Sequence, residues 1–302
     1  MWVVEMDAVA PRATSMTSQN HGARSKLSTA SGLRSNYFNP LTSYHISLNL
    51  STMFKKEELN ISRVTYESGG VELEGLIFKP NQSGKLPGVI FIHGYDGNCW
   101  SSSLTGYFLS KSGFAVFLPS QMGYGLSGGK PDYVGPKTVE GIIDGISSFL
   151  NESFVDKDQV GIWGISRGAT ATALIATKKP AFFKAAVFQS GAYEMKKNYE
   201  TTKIEGIRDN IEKEAGTTDT AFQERSPVYA MENVKFPVLI LHGEKDENIS
   251  VEQAQLLDEE LNRLGKVHET IIIPEAPHFI SKQTRRQYVF PFLEKELKKL
   301  DT

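Results

Sequence analysis

The sequence predicts an α/β protein built on one open, mostly parallel sheet of about eight strands, with helices on both faces. Three observations lead there. Short unbroken apolar runs such as Gly88 to Ile92 and Val238 to Leu241 read as strands covered on both sides. Stretches of helical period separate these runs, and the alternation continues from about residue 61 almost to the last residue. Loops bearing glycine, serine, histidine and acids follow the strands, at the strand ends where open α/β sheets bind ligands.

Taken in order, Ile61 to Glu67 and Val71 to Phe78 flank Ser68-Gly69-Gly70 and read as a β-hairpin with a glycine turn. Pro87 opens the strand Gly88 to Ile92, and a helix-like stretch, Ser101 to Ser112, follows it. Phe114 to Leu118 reads as strand, Lys137 to Leu150 as amphipathic helix, Gln159 to Trp163 as strand and Ala169 to Thr177 as an alanine-rich helix. Lys184 to Phe188 continues the sheet. After a long interval come strand Val238 to Leu241, helix Val251 to Leu264, strand Val267 to Ile273 and a closing helix from about Gln283 to Leu300.

Of 302 residues, 33 are Lys or Arg and 35 Asp or Glu, giving a net charge of -2 with 40% hydrophobic residues. That balance lacks the basic excess of a nucleic-acid or anionic-membrane binder. A lone cysteine, Cys99, excludes an intramolecular disulfide, and no Cys/His cluster has metal-ligand spacing. No apolar run approaches the roughly 20 residues needed to cross a bilayer. Residues 1–56 form a poorly patterned N-terminal extension, expected to be flexible. It has no acid between Asp7 and Glu57 and carries Arg12, Arg24, Lys26 and Arg34 among many Ser and Thr. An organelle transit peptide, a disordered tail, or a true start at Met53 each fits that composition. Residues 57–302 are expected to form the catalytic domain, with a cap-like insertion at 192–235. The default location is the cytoplasm.

The strand Gln159 to Trp163 runs into Gly164-Ile165-Ser166-Arg167-Gly168 and then a helix, the setting in which a GxSxG turn projects its serine above a sheet. A serine hydroxyl needs a base, and the base needs an orienting acid. Downstream, Val238 to Leu241 ends in His242-Gly243-Glu244-Lys245-Asp246-Glu247, and Val267 to Ile273 ends in Pro274-Glu275-Ala276-Pro277-His278. His278 is the expected base, while Glu244, Asp246 and Glu247 all compete for the acid. His242, directly before Gly243, reads as structural, and His21, His45 and His268 as tail or surface residues. The strand before His93-Gly94-Tyr95 offers backbone N–H groups for a developing oxyanion, with Tyr95 and Arg167 the natural pair. Gly123-Tyr124-Gly125-Leu126-Ser127-Gly128 matches a dinucleotide fingerprint, but Gly129-Lys130-Pro131-Asp132 prevents the helix that motif needs. It reads as a glycine-rich loop. Cys99 reads as a small packed residue.

Together, His93-Gly94-Tyr95, the Gly164 to Gly168 motif, Ser226-Pro227 leading to Phe236 to Asp246, and Pro277-His278-Phe279 resemble the α/β-hydrolase superfamily. Within it, residues 60 to 300 are similar to the catalytic domain of the prolyl oligopeptidase and dienelactone-hydrolase-like branch. The resemblance implies an α/β-hydrolase fold, a triad of Ser166, Asp246 and His278, and no cofactor or metal. Prolyl oligopeptidases proper carry a β-propeller that fifty-odd unpatterned residues cannot supply, and dienelactone hydrolases use cysteine where Ser166 stands. The implied function is therefore cleavage of small to medium carboxylic esters through an acyl-enzyme. A prolyl-oligopeptidase-like aminopeptidase or amidase is the second reading, acyl transfer to an acceptor other than water a further variant, and a non-catalytic ligand receptor the last. Expected partners are a small-molecule ester and, as an option left open, a second copy in a homodimer. Trp163, Tyr193, Met195, Tyr199 and Phe222 are the candidate pocket residues, although Trp163 also suits the core.

Overall fold

The structure, a computed structural model, describes residues 59–298. The N-terminal extension and the start at Met53 lie outside these residues. Strands β1 (Leu59–Ser68) and β2 (Val71–Pro80) form the hairpin, joined at Gly69 and Gly70, and β2 pairs antiparallel with β4 (Ala115–Pro119). From there the sheet is parallel: β3 (Leu86–Ile92), β5 (Val155–Ile165), β6 (Ala185–Gln189), β7 (Val238–Gly243) and β8 (His268–Ile273). The eight strands lie in the order β1-β2-β4-β3-β5-β6-β7-β8, the mostly parallel sheet of an α/β-hydrolase fold.

Both faces of the central strands β3, β4, β6 and β7 are covered because these runs are apolar at almost every position rather than at alternate ones. Ile90 and Ile92 of β3 and Ile162 of β5 point to one side. There they meet Ile142 and Ile146 of α2 (Pro136–Leu150), Ala173 of α3 (Arg167–Lys178) and Leu257 and Leu261 of α7 (Glu252–Arg263). Val89, Phe91 and Trp163 point to the other, against Leu109 of α1 (Ser103–Lys111) and Val289 and Leu293 of α8 (Lys282–Leu297). Cys99 is buried on that second side, and its burial raises the thiol pKa, which suits a packing residue.

Between β6 and β7 the chain makes three short helices, α4 (Met195–Thr201), α5 (Glu205–Glu214) and α6 (Asp219–Gln223), and a 3₁₀ segment at Pro227–Asn233. The loop at 121–131 closes on itself, with Gly123 N–H donating to Gly128 O at 2.9 Å. It is tied to the sheet by the fully buried Glu74, which accepts from Leu126 N–H at 2.7 Å and from Arg63 at 3.0 Å. With those bonds filled, the glycine-rich segment is a structural loop.

Candidate active site

β5 ends at Ile165 and α3 begins at Arg167, which leaves Ser166 alone to turn the chain. Its φ of 56° and ψ of -126° are costly for a residue with a Cβ, about 1–3 kcal/mol, and persist only because the surroundings fix them. The flanking glycines make the turn fit. A methyl group on Gly164 would collide with Gly168 O, and one on Gly168 with the carbonyl oxygens of Ile92 and His93.

β7 and β8, neighbours at the far side of the sheet, deliver the other two groups. His278 Nδ1 lies 2.7 Å from Asp246 Oδ2, and His278 Nε2 lies 2.9 Å from Ser166 Oγ. Asp246 Oδ1 accepts the N–H groups of Asn248 and Ile249, each at 2.9 Å. Burial alone would raise the Asp246 pKa. Hydrogen bonds from His242, His278 and the Ile249 N–H outweigh that and hold the carboxyl well below its ordinary range. An ionised carboxylate only accepts, so His278 donates through Nδ1–H and turns the lone pair of Nε2 toward the Ser166 hydroxyl. The arrangement can therefore take a proton from serine. Glu244 and Glu247 hold no such place.

His242, read from sequence as structural, shares this acid. Its buried Nε2 lies 3.1 Å from Asp246 Oδ2 and 2.9 Å from Ile249 O, so Asp246 is gripped by two imidazoles. Sequence carried one signal for this, the i,i+4 spacing from His242 to Asp246 across the β7 loop.

The His93-Gly94-Tyr95 turn packs against Ser166: a methyl group on Gly94 would sit 3.2 Å from Ile165 O and 3.3 Å from Ser166 Cβ. His93 holds that turn. It accepts the Gln121 N–H at Nε2 (3.0 Å), which leaves Nδ1–H to donate to Gly94 O (2.7 Å). Both ring nitrogens are thereby used in the neutral form, and burial pushes the His93 pKa down to about 4, helped by the nearby charge of Arg167. Among the described residues, neither Tyr95 N–H nor Arg167 N–H is donated to another protein group.

The Arg167 side chain, to which sequence reasoning gave no role, is buried in a ring of aromatics. Its guanidinium lies 4.2 Å from the Tyr133 ring centroid and 4.6 Å from that of Tyr95. It donates to Tyr124 Oη and pairs with Glu214 Oε2 at 2.9 Å. Glu214 ends α5, so one ion pair joins the β6–β7 insertion to the residue beside Ser166. Partners 47 positions apart leave no local pattern, which is why sequence missed them.

A cavity of about 770 Å³ opens over Ser166 and His278. Of the candidate pocket residues, Trp163 and Met195 line it. Tyr193, Tyr199 and Phe222 do not line it. Tyr193 is fully buried against Phe188, while Tyr199 turns its hydroxyl to Glu212 at 2.6 Å and packs its ring on Phe222. Those three hold the insertion to the domain and to itself. Besides Met195, the insertion lines the cavity with Ala192 and with Ile204, Gly206, Ile207 and Asn210 at the start of α5. Among the described residues no cluster of three or more His, Cys, Asp or Glu is placed to hold a metal ion, and no helix is long and apolar enough to cross a membrane.

Residues 100–299 match the model of the prolyl oligopeptidase family, Peptidase_S9. The chain belongs to that family, and hence to the serine hydrolases. Among curated proteins it is 27% identical over 243 residues to the uncharacterized peptidase YtmA of Bacillus subtilis, a match spanning 77% of this chain and 91% of YtmA. It is 26% identical over 233 residues to the uncharacterized peptidase YuxL of the same bacterium, covering 70% of this chain but 34% of YuxL. Among solved structures, the acylaminoacyl peptidase of Pyrococcus horikoshii superposes with a TM-score of 0.72 at 22% identity, over 85% of this chain and 44% of that one, a likeness of fold.

Proposed function

We propose that the protein is a serine peptidase or amidase that cleaves short or acylated peptides at Ser166. The observation that carries this reading is the continuous Ser166–His278–Asp246 relay, with contacts of 2.9 and 2.7 Å, opening into the cavity. Ser166 Oγ attacks the carbonyl carbon while His278 Nε2 takes its proton. The N–H groups of Tyr95 and Arg167 receive the oxyanion, and the imidazolium then protonates the departing amine. Water, deprotonated by the same imidazole, releases the acyl group. Asp246, kept ionised, stabilises the imidazolium in both halves.

Sequence analysis placed ester cleavage first and peptide cleavage second. The family and the names of the relatives support the second. Activated esters form the same acyl-enzyme with a better leaving group, so they should also be turned over. The test is hydrolysis of N-acetyl-alanyl p-nitroanilide beside p-nitrophenyl butyrate by the wild type and Ser166→Ala. Turnover of both that disappears in the variant supports the reading. Turnover of the ester alone returns the protein to the esterase class.

A further inference from the structure

Helix α8 begins four residues after His278, and Lys282, Arg285 and Arg286 stand at i, i+3 and i+4 on its first turns. That spacing puts three cations on one face, and all three line the cavity that opens over Ser166. The placement is unfavourable on two counts. Neighbouring like charges repel, and the helix macrodipole disfavours cations at this end. Among the described residues no Asp or Glu lines the cavity, and none forms an ion pair with these side chains.

Arg285 is the sharpest case. It is half-buried, and its Nε is shut off from solvent without a hydrogen-bond partner. The guanidinium of Arg286 is braced 4.0 Å over the Phe108 ring, which also lines the cavity. Arg167, the fourth cation on the lining, differs because Glu214 neutralises it. Much of the remaining wall is apolar, including Phe91, Trp163, Ile165 and Phe290.

We propose that Lys282, Arg285 and Arg286 form an anion subsite of this cavity, and that the substrate joins an apolar body to a free carboxylate. A planar guanidinium presents the fork of N–H donors that a carboxylate fills with two parallel hydrogen bonds. For a short peptide that group is its own C-terminus. The proposal rests on Ser166 being the nucleophile.

Two matched substrate pairs test it: mono-p-nitrophenyl glutarate against p-nitrophenyl pentanoate, and an N-acetyl dipeptide free acid against its C-terminal amide. The wild type is expected to favour the acid in at least one pair by about tenfold or more in kcat/KM, as a charge-assisted contact supplies. Raising the salt concentration should weaken that preference. Arg285→Gln, and separately the more exposed Arg286→Gln, should cut the acid-to-neutral ratio severalfold. Arg263→Gln, on α7 and paired with Glu260, controls for net charge and should leave the ratio unchanged. A ratio near one in both pairs, or one that both cavity variants preserve, overturns the anion subsite. Failure of the catalytic reading is seen separately, as turnover of the neutral ester that persists in Ser166→Ala.

Discussion

His93 shows how one buried side chain makes the stability of the fold depend on pH. Its ordinary pKa of 6.5 falls to about 4 in the folded protein, because burial and the Arg167 charge both oppose the imidazolium. The unfolded chain therefore takes up a proton near pH 6.5 that the folded chain refuses until about pH 4. Stability from this group is complete above 6.5 and is lost as the pH falls through that window, by about 2 kcal/mol at pH 5. Urea unfolding at pH 7.5 and 5.0 should show the gap between the wild type and His93→Gln narrowing by about that amount. Asp246 works in the opposite chemical sense, as an acid kept ionised. Asp246→Asn should lower kcat by about 10³-fold or more, because His278 loses the acceptor that fixes its tautomer. The pH-dependent part of Asp246's stabilisation is present above the ordinary carboxylate pKa, near 3.9, and declines as the pH drops below it.

The contact between α5 and the nucleophile turn couples the insertion to the chemistry. Glu214 and Arg167 are both nearly buried, with side-chain exposures of 12% and 5%, so removing the carboxylate strands a desolvated guanidinium. Glu214→Ala should cost about 3 kcal/mol in urea unfolding and lower kcat, since Arg167 also supplies a backbone N–H beside Ser166. Glu214→Gln retains an acceptor and should recover part of both losses. Here the sequence was only partly legible. Ser166 was readable because a strand, a tight turn and a helix follow one another locally, and His278 because it lies in the loop that follows a strand. The insertion was readable as an insertion, but not its lining. Aromatic residues at 193, 199 and 222 suggested a pocket, whereas burial and local partners direct them into packing. Of the insertion residues that do reach the cavity, Met195 was among the candidates, whereas Ile204 and Ile207 carry no distinguishing pattern. Arg285 and Arg286 drew no notice in the sequence, and only the packing of α8 shows which space they face.

The sheet makes the site by bringing distant segments to one edge. β3, β5, β7 and β8 each lead into a loop that carries a residue of the proposed site, Tyr95, Ser166, Asp246 and His278, and parallel pairing aligns those strand ends although the residues span positions 95 to 278. The fold was legible in the sequence because fully covered strands are apolar at every position, a pattern that survives without tertiary information. Substrate preference was not, since it depends on which side chains from separate elements meet across the cavity. Covalent capture tests the assembly most directly: the protein is treated with a fluorophosphonate and its intact mass and modified peptide are determined. One adduct per chain, on Ser166 and absent from Ser166→Ala, is the predicted result. A folded wild type that stays unlabelled, or an adduct on another residue, would contradict Ser166 as the activated nucleophile.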